Sequence, residues 1–206
     1  SLNNVKIKDI GISYGSITMI DETGNIWACG IEINYSGINK ELLTEEMKNN
    51  YLNYNPICIS KIAEGVLCEE YKKGIKFIDV YTDASGVIIT DDKNRMWDLY
   101  VGNNKEATCI NTTDKIFIEN SKKYNNYKIE KIKTGRYYYG LYMKDSNGTW
   151  WKYYNHAMEL HKYNAKDVSS ENAYIDEYGQ IWLGSDRADI YEEKNVLHNL
   201  KIKDIL

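Results

Sequence analysis

The sequence is poor in the residues from which catalytic and metal centres are most often built. Three histidines occur in 206 residues, His156, His161 and His198, and the two that lie close, in HAMELH, are five apart. That is neither the i,i+4 spacing of a helical metal pair nor an H-E-x-x-H arrangement, so all three read as ordinary polar positions. Four cysteines, Cys29, Cys58, Cys68 and Cys109, form no C-x-x-C pair and have no close histidine. Zinc is not expected there; reduced, structural thiols in a cytosolic-type compartment are. G-x-S-x-G, P-loop and G-x-G-x-x-G patterns are lacking, so no catalytic residue, metal or cofactor is assigned and the chain is read as non-enzymatic.

Other classes fall away on composition. No run approaches the roughly 20 apolar residues of a membrane helix, and the opening SLNNVKIKDIGISYG has no apolar core of signal-peptide length. Neither membrane insertion nor export is expected. Acids and bases are interspersed along the chain, with a formal net charge of −4. A broad basic field that could bind nucleic acid by counterion release is therefore missing, and no nucleic-acid partner is expected. Hydrophobic residues at 43% against 27% charged are enough for a packed core and exclude a disordered chain. Nineteen tyrosines with a single proline, and frequent Asn, Ile and Lys, resemble translation from an AT-rich bacterial genome.

What the sequence does have is a phrase repeated four times: Asp-x-x-[Gly/Asn]-x-apolar-Trp. It stands at 21–27 (DETGNIW), 91–97 (DDKNRMW), 145–151 (DSNGTWW) and 176–182 (DEYGQIW), with the Trp always six residues after the Asp. The predicted structure of each copy is a hairpin tip: Asp21, Asp91, Asp145 and Asp176 open a tight turn. Gly24, Gly148 and Gly179 supply the positive φ, with Asn94 in that place in the second copy. The returning strand then carries Trp27, Trp97, Trp151 or Trp182 inward. A turn Asp that accepts hydrogen bonds from its own backbone accounts for all four acids. DSNG also looks like the start of a calcium loop but lacks the downstream Glu.

The segments ahead of the turns repeat as well. VKIKDIGISYGSITMI leads the first and IKFIDVYTDASGVIIT the second, so that Ile7 and Phe77 each precede their Trp by 20 residues. Two strands plus the return make three strands per repeat. A third lead-in, YKIEKIKTGRYYYGLYMK, keeps the pattern, and a shorter one, AKDVSSENAYI, precedes the fourth. The chain ends in NLKIKDIL, nearly a copy of NVKIKDIG at 4–11. Repeats are placed at about 4–68, 74–118, 127–162 and 165–198, with the first strand of a fifth at 199–206, in a single domain spanning 1–206.

These residues resemble the repeats of the regulator of chromosome condensation, whose units read apolar strand, small residues, apolar strand, D-x-x-G-x-hydrophobic-W. Gly30, Asn34 and Gly37 after the first Trp are similar to that family's continuation. PICISKI, opened by Pro56, is similar to the segment that supplies the remaining strand. The resemblance implies an all-β, β-propeller-like array of about four antiparallel four-stranded blades, in an open or incomplete ring. Departures are Asn94, the uneven spacing of the four tryptophans and the small number of repeats. Another all-β sandwich or barrel is the alternative.

Between the repeats, Leu42, Leu43, Met47 and Tyr51 recur at helical spacing opposite Thr44 and the charges at 45–48, which predicts a short amphipathic helix near 40–52 covering a blade edge. The polar stretch 119–127 (ENSKKYNNY) reads as a surface loop. Tyr137, Tyr138, Tyr139, Trp150 and Tyr154 crowd into one repeat and are the candidate binding residues, set against the simpler use of flat rings in packing blade on blade. The function read from all this is a protein-interaction or structural module whose partner is a protein or a neighbouring subunit. It could serve in a phage-tail, bacteriocin or surface-attachment assembly, so that the protein is either cytoplasmic at synthesis or part of such a particle. A carbohydrate-binding lectin using the Tyr/Trp cluster is the alternative, and an enzyme with its site in a propeller channel is the third class.

Overall fold

The computed structural model describes residues 2, 4–13, 16–31, 40–62, 66–82, 87–99, 107–134, 140–154, 157–162, 165–168, 173–183 and 186–187. Among them are four antiparallel sheets of four strands, each a meander in chain order. The first blade is β1 (Ile7–Ser13), β2 (Ser16–Asp21), β3 (Ile26–Gly30) and β4 (Ile57–Cys58). The second is β5 (Phe77–Thr82), β6 (Val87–Asp91), β7 (Met96–Asp98) and β8 (Thr108–Cys109). The third is β9 (Ile129–Thr134), β10 (Leu141–Asp145), β11 (Trp150–Tyr154) and β12 (Ala157–Lys162). The fourth is β13 (Ala165–Val168), β14 (Ala173–Asp176), β15 (Ile181–Leu183) and β16 (Asp186–Arg187). The expected blade plan is met: two lead-in strands, a return through the Asp turn, and a fourth strand that in the first blade follows Pro56.

Two compact units divide the chain, residues 1–118 and 119–206. In the first, one apolar cluster joins the facing sheets: Ile20, Ile26 and Ala28 of the first blade lie with Val80, Val87 and Ile89 of the second. Helices extend this core. The predicted insertion is a short 3-10 turn at Lys40–Leu42 followed by α1 (Glu45–Leu52), which Thr44 caps by accepting from the Met47 N–H at 3.2 Å. Leu43 and Tyr51 are buried against the same cluster, as the spacing required. A second helix, α2 (Val66–Lys72), buries Leu67 and Cys68.

After β8 come α3 (Ile110–Thr113) and α4 (Lys115–Lys123), the latter carrying the boundary between the units. The expectation of a loop over 119–127 is corrected here, because residues 119–123 are the last turns of α4. The helix starts at an apolar turn, with Phe117 buried and Asp114 Oδ1 accepting from the Phe117 N–H at 2.8 Å. A window opened at Glu119 sees only the polar end. Chain reversal follows over 124–127, where Asn126 has φ 59°.

In the second unit the third and fourth blades enclose a smaller cluster, Tyr142, Trp150, Ala165 and Val168. Its fourth strand β12 runs six residues against β11, whereas β4 and β8 have two residues each. The copy of the first strand at 199–206 lies outside the described residues.

Candidate functional site

The four repeated turns have one geometry. In each, the Asp N–H donates to the carbonyl four residues on (Asp21 to Asn25 at 3.0 Å, Asp145 to Thr149 at 2.9 Å), and the Gly or Asn N–H returns to the Asp carbonyl. Gly24, Gly148 and Gly179 sit at φ 85°, 82° and 82°, and Asn94 at 58°. This is a three-residue hairpin loop closed through a left-handed residue, a conformation Asn tolerates.

The carboxylates are spent inside these turns. Asp21 Oδ1 accepts from the N–H groups of Thr23 and Asn25, both at 2.9 Å, and the same pair of bonds recurs at Asp91, Asp145 and Asp176. The other oxygen takes the indole. Trp27, Trp97, Trp151 and Trp182 donate Nε1–H to Oδ2 of Asp21, Asp91, Asp145 and Asp176 at 2.8, 3.0, 2.8 and 2.9 Å. The invariant spacing of six therefore has a cause that composition alone does not show: the Trp is a clasp on its own turn. Burial would raise the Asp21 carboxyl, but hydrogen bonds from Trp27, Asn25 and Thr23 outweigh it and hold the pKa at about 2.

The expectation that these tryptophans point inward is met in full at one of the four turns. Only Trp97 is buried, while Trp27, Trp151 and Trp182 are half-buried. The residue before each is the deeper one in the first and third blades, Ile26 and Trp150 both being fully covered. Arg95 reinforces the second turn. It donates from Nε to Asp91 Oδ2 and from a terminal nitrogen to Glu70 Oε2, both at 2.7 Å, with the guanidinium 5.0 Å from the Trp97 ring centre.

The candidate binding aromatics are not brought together as a set. Trp150 is fully buried and donates Nε1–H to the Ala165 carbonyl at 3.0 Å; it packs the third blade on the fourth. A ring so placed is removed from surface stacking. Tyr154 is half-buried, with the Lys152 ammonium 4.9 Å from its ring centre. Tyr137, Tyr138 and Tyr139 lie outside the described residues. The most exposed aromatic among the described residues is one the reading passed over, Tyr178, 78% exposed at the fourth turn. In the same blade Tyr174 stacks on Trp182, with ring centres 5.8 Å apart and planes 4° from parallel.

A second repeated position also escaped the sequence. The first strand of every blade slips by one residue opposite the turn Asp, a bulge that re-aims the following side chain. After it stand Asp9, Asp79, Lys131 and Asp167. Asp9 Oδ2 accepts from the Val80 N–H of the second blade at 2.7 Å, and Oδ1 from Ile10 N–H at 2.9 Å. In the second unit the joint is ionic: Lys133 meets Asp167 at 2.6 Å and Lys131 at 3.4 Å. Burial works against the charged Asp167, but the Lys133 hydrogen bond and the two ammonium groups hold its carboxyl below the ordinary range. The signal was available, since Asp9 and Asp79 each stand 12 residues ahead of their turn Asp.

No cluster of three His, Cys, Asp or Glu side chains suited to a metal occurs among the described residues, nor any helix long and apolar enough to cross a membrane. His161 lies on β12 with its ring 4.7 Å from that of Tyr142, and His156 and His198 fall outside the described residues. The four cysteines are free thiols, Cys29 and Cys68 buried. Burial pushes the Cys29 and Cys58 thiols up, away from the reactive thiolate.

No protein-family model and no curated protein matches the sequence. Solved structures match its fold. Prp20p from Saccharomyces cerevisiae, described with its binding to Gsp1p and histones, superposes at a TM-score of 0.57 and 13% identity, over 88% of this chain and 44% of that one. A structure of Kap60 bound to yeast RCC1 (Prp20) gives 0.58 at 13% identity over the same shares. Human WBSCR16 gives 0.50 at 9% identity, over 86% and 47%. The chain spans less than half the length of the solved relatives it matches. At these identities the likeness is one of architecture: the chain has blades of the kind found in RCC1-like β-propeller proteins.

Proposed function

We propose that the chain is a non-enzymatic interaction scaffold, a stack of clasped blades that presents its connecting segments to a protein partner. The observation that carries this reading is the fate of the four turn carboxylates. Each is saturated by two backbone N–H groups and an indole of its own hairpin, so the most regular acids of the sequence serve rigidity. A rigid frame with variable connections is the usual arrangement of a recognition platform. The fold likeness supports a protein as ligand, since Prp20 is described with Gsp1p, histones and Kap60. A place in a phage-tail, bacteriocin or surface-attachment assembly is the narrower form of the proposal.

A photo-crosslinking residue introduced at Tyr178 (78% exposed) or Tyr54 (53% exposed) of the full chain, in cells of its source, tests the proposal. Discrete protein adducts at one of these positions are expected, with none at the buried Ile88. Binding on a glycan array that Tyr154→Ala abolishes, with no protein adduct at either position, would replace the proposal with sugar recognition.

A further inference from the structure

The third blade departs from the others in the charge it carries at the first-strand bulge. In the first, second and fourth blades the residue after the bulge is an acid opposite an uncharged residue: Asp9 faces Ile20, Asp79 faces Thr90 and Asp167 faces Ile175. In the third blade the position is Lys131, and its partner on β10 is Lys144. Directly opposed residues of an antiparallel pair project from one face with Cβ atoms about 5 Å apart, and like charges placed so destabilise the sheet. On its other side Lys144 faces Trp150, with the ammonium 5.7 Å from the ring centre.

Both lysines reach β13 of the fourth blade, which has little to give them. Asp167, the acid of that strand, is already met by the Lys133 ammonium at 2.6 Å and the Val168 N–H at 3.0 Å. Lys131 comes to it only at 3.4 Å and keeps 44% of its side chain exposed. Lys144 reaches the Lys166 carbonyl at 3.4 Å. Both distances lie beyond the roughly 2.7–3.2 Å of a good N–H···O bond. Three ammonium groups thus meet one carboxylate, and Lys166 beside it is exposed.

We infer that Lys131 and Lys144 form an anion-binding contact of the scaffold, which receives a carboxylate from an acidic segment of the protein partner as Lys133 receives that of Asp167. A carboxylate is the counterion this joint already uses. Two such charges are too few to hold a polynucleotide through counterion release. A like-charge pair that costs the free chain stability is relieved when an anion is placed against it, so the cost is converted into preference for an acidic partner. The inference rests on the scaffold reading and names the chemistry of the partner's contacting surface.

Titration of the full chain with an oligoglutamate peptide, followed in proton–nitrogen spectra, tests it. Salt is held at about 0.1 M, where exposed charges more than roughly 10 Å away are screened. Saturable shifts of the amides of 131, 144 and 166 are expected, and Lys131→Gln/Lys144→Gln should weaken binding at least about tenfold. Lys93→Gln/Lys122→Gln removes the same charge at exposed positions elsewhere and should leave the affinity unchanged. The Lys131→Gln/Lys144→Gln chain should melt no lower than wild type, since Lys133 still holds Asp167. Absence of saturable shifts, equal weakening by the two double variants, or a lower melting temperature of Lys131→Gln/Lys144→Gln overturns the inference. Saturation of the same amides by inorganic phosphate but not by the peptide would overturn it in favour of a phosphate site. Failure of the peptide while protein adducts still form at Tyr178 or Tyr54 would sink this contact alone and leave the scaffold standing.

Discussion

The first unit and the third blade finish the same hairpin in different ways. In the first two blades the fourth strand has only two residues, and a side chain replaces the missing ladder. Ser60 Oγ accepts from the Ile26 N–H at 3.1 Å, and Asn111 Oδ1 from the Met96 N–H at 2.7 Å. Helices then take over the edge. In the third blade β12 pairs along the whole of β11, and an indole joins the Lys133–Asp167 ion pair in holding the next blade. The clasped turn is common to both, which shows that it is the invariant part of the repeat and that the outer edge is free to vary.

Trp150→Ala should break the comparison most severely. Deleting a fully covered indole costs about 3–5 kcal/mol, and it also orphans the Ala165 carbonyl. Hydrogen exchange should show the amides of β10, β11 and β14 losing protection while those of β2 and β6 keep theirs, since the first unit has its own cluster. Next comes a pair of glycines with the same backbone. Gly24→Ala meets the Lys76 backbone, with Cβ 2.9 Å from Lys76 Cβ and 3.0 Å from its Cα, whereas at Gly148 nothing lies within 4 Å. Both variants carry the left-handed penalty of about 1–2 kcal/mol; Gly24→Ala should cost roughly 1–3 kcal/mol more, measured by denaturant unfolding.

How much of this was legible follows from the range of each signal. The turns were readable because Asp, Gly and Trp recur at fixed local spacing, and α1 because Leu43, Met47 and Tyr51 mark one face. α4 was missed because its apolar turn at Ile116 and Phe117 was separated from its polar end. The clasp was half visible: spacing showed that Asp and Trp belong together, but the bond between them depends on the strand return. The bulge residues Asp9 and Asp167 act across blades, through Val80 and Lys133, and no local pattern says which strand will face them. Trp150 illustrates the same limit, because alternation along β11 predicts two faces and each holds a buried ring, Trp150 on one and Tyr153 on the other.

Acid should expose the electrostatic part of the clasp. The Asp21 pKa is depressed from 3.8 to about 2, so the carboxylate contributes stability in full above its ordinary value and loses it as pH falls from about 4 through 2. The contribution at neutral pH is about 2 kcal/mol; Asp21→Asn should give a shallower acid limb in urea midpoints. Smaller still, Ser60→Ala leaves the buried Ile26 N–H unpaired and should cost about 1–2 kcal/mol, and Asn111→Ala should do the same for Met96. Their sum should be additive. No equivalent substitution exists in the third blade, where strand pairing does this work.

The clasp itself can be read directly from the indole protons. In a proton–nitrogen spectrum of the full chain, the Nε1–H resonances of Trp27, Trp97, Trp151 and Trp182 are expected to be protected from exchange. Each should lose protection on Asp→Ala substitution of its own turn residue and of no other. Free exchange of the half-buried Trp27, Trp151 and Trp182 indoles in the wild-type chain, or protection that survives loss of the partnering carboxylate, would contradict the clasped hairpin as the unit of this fold.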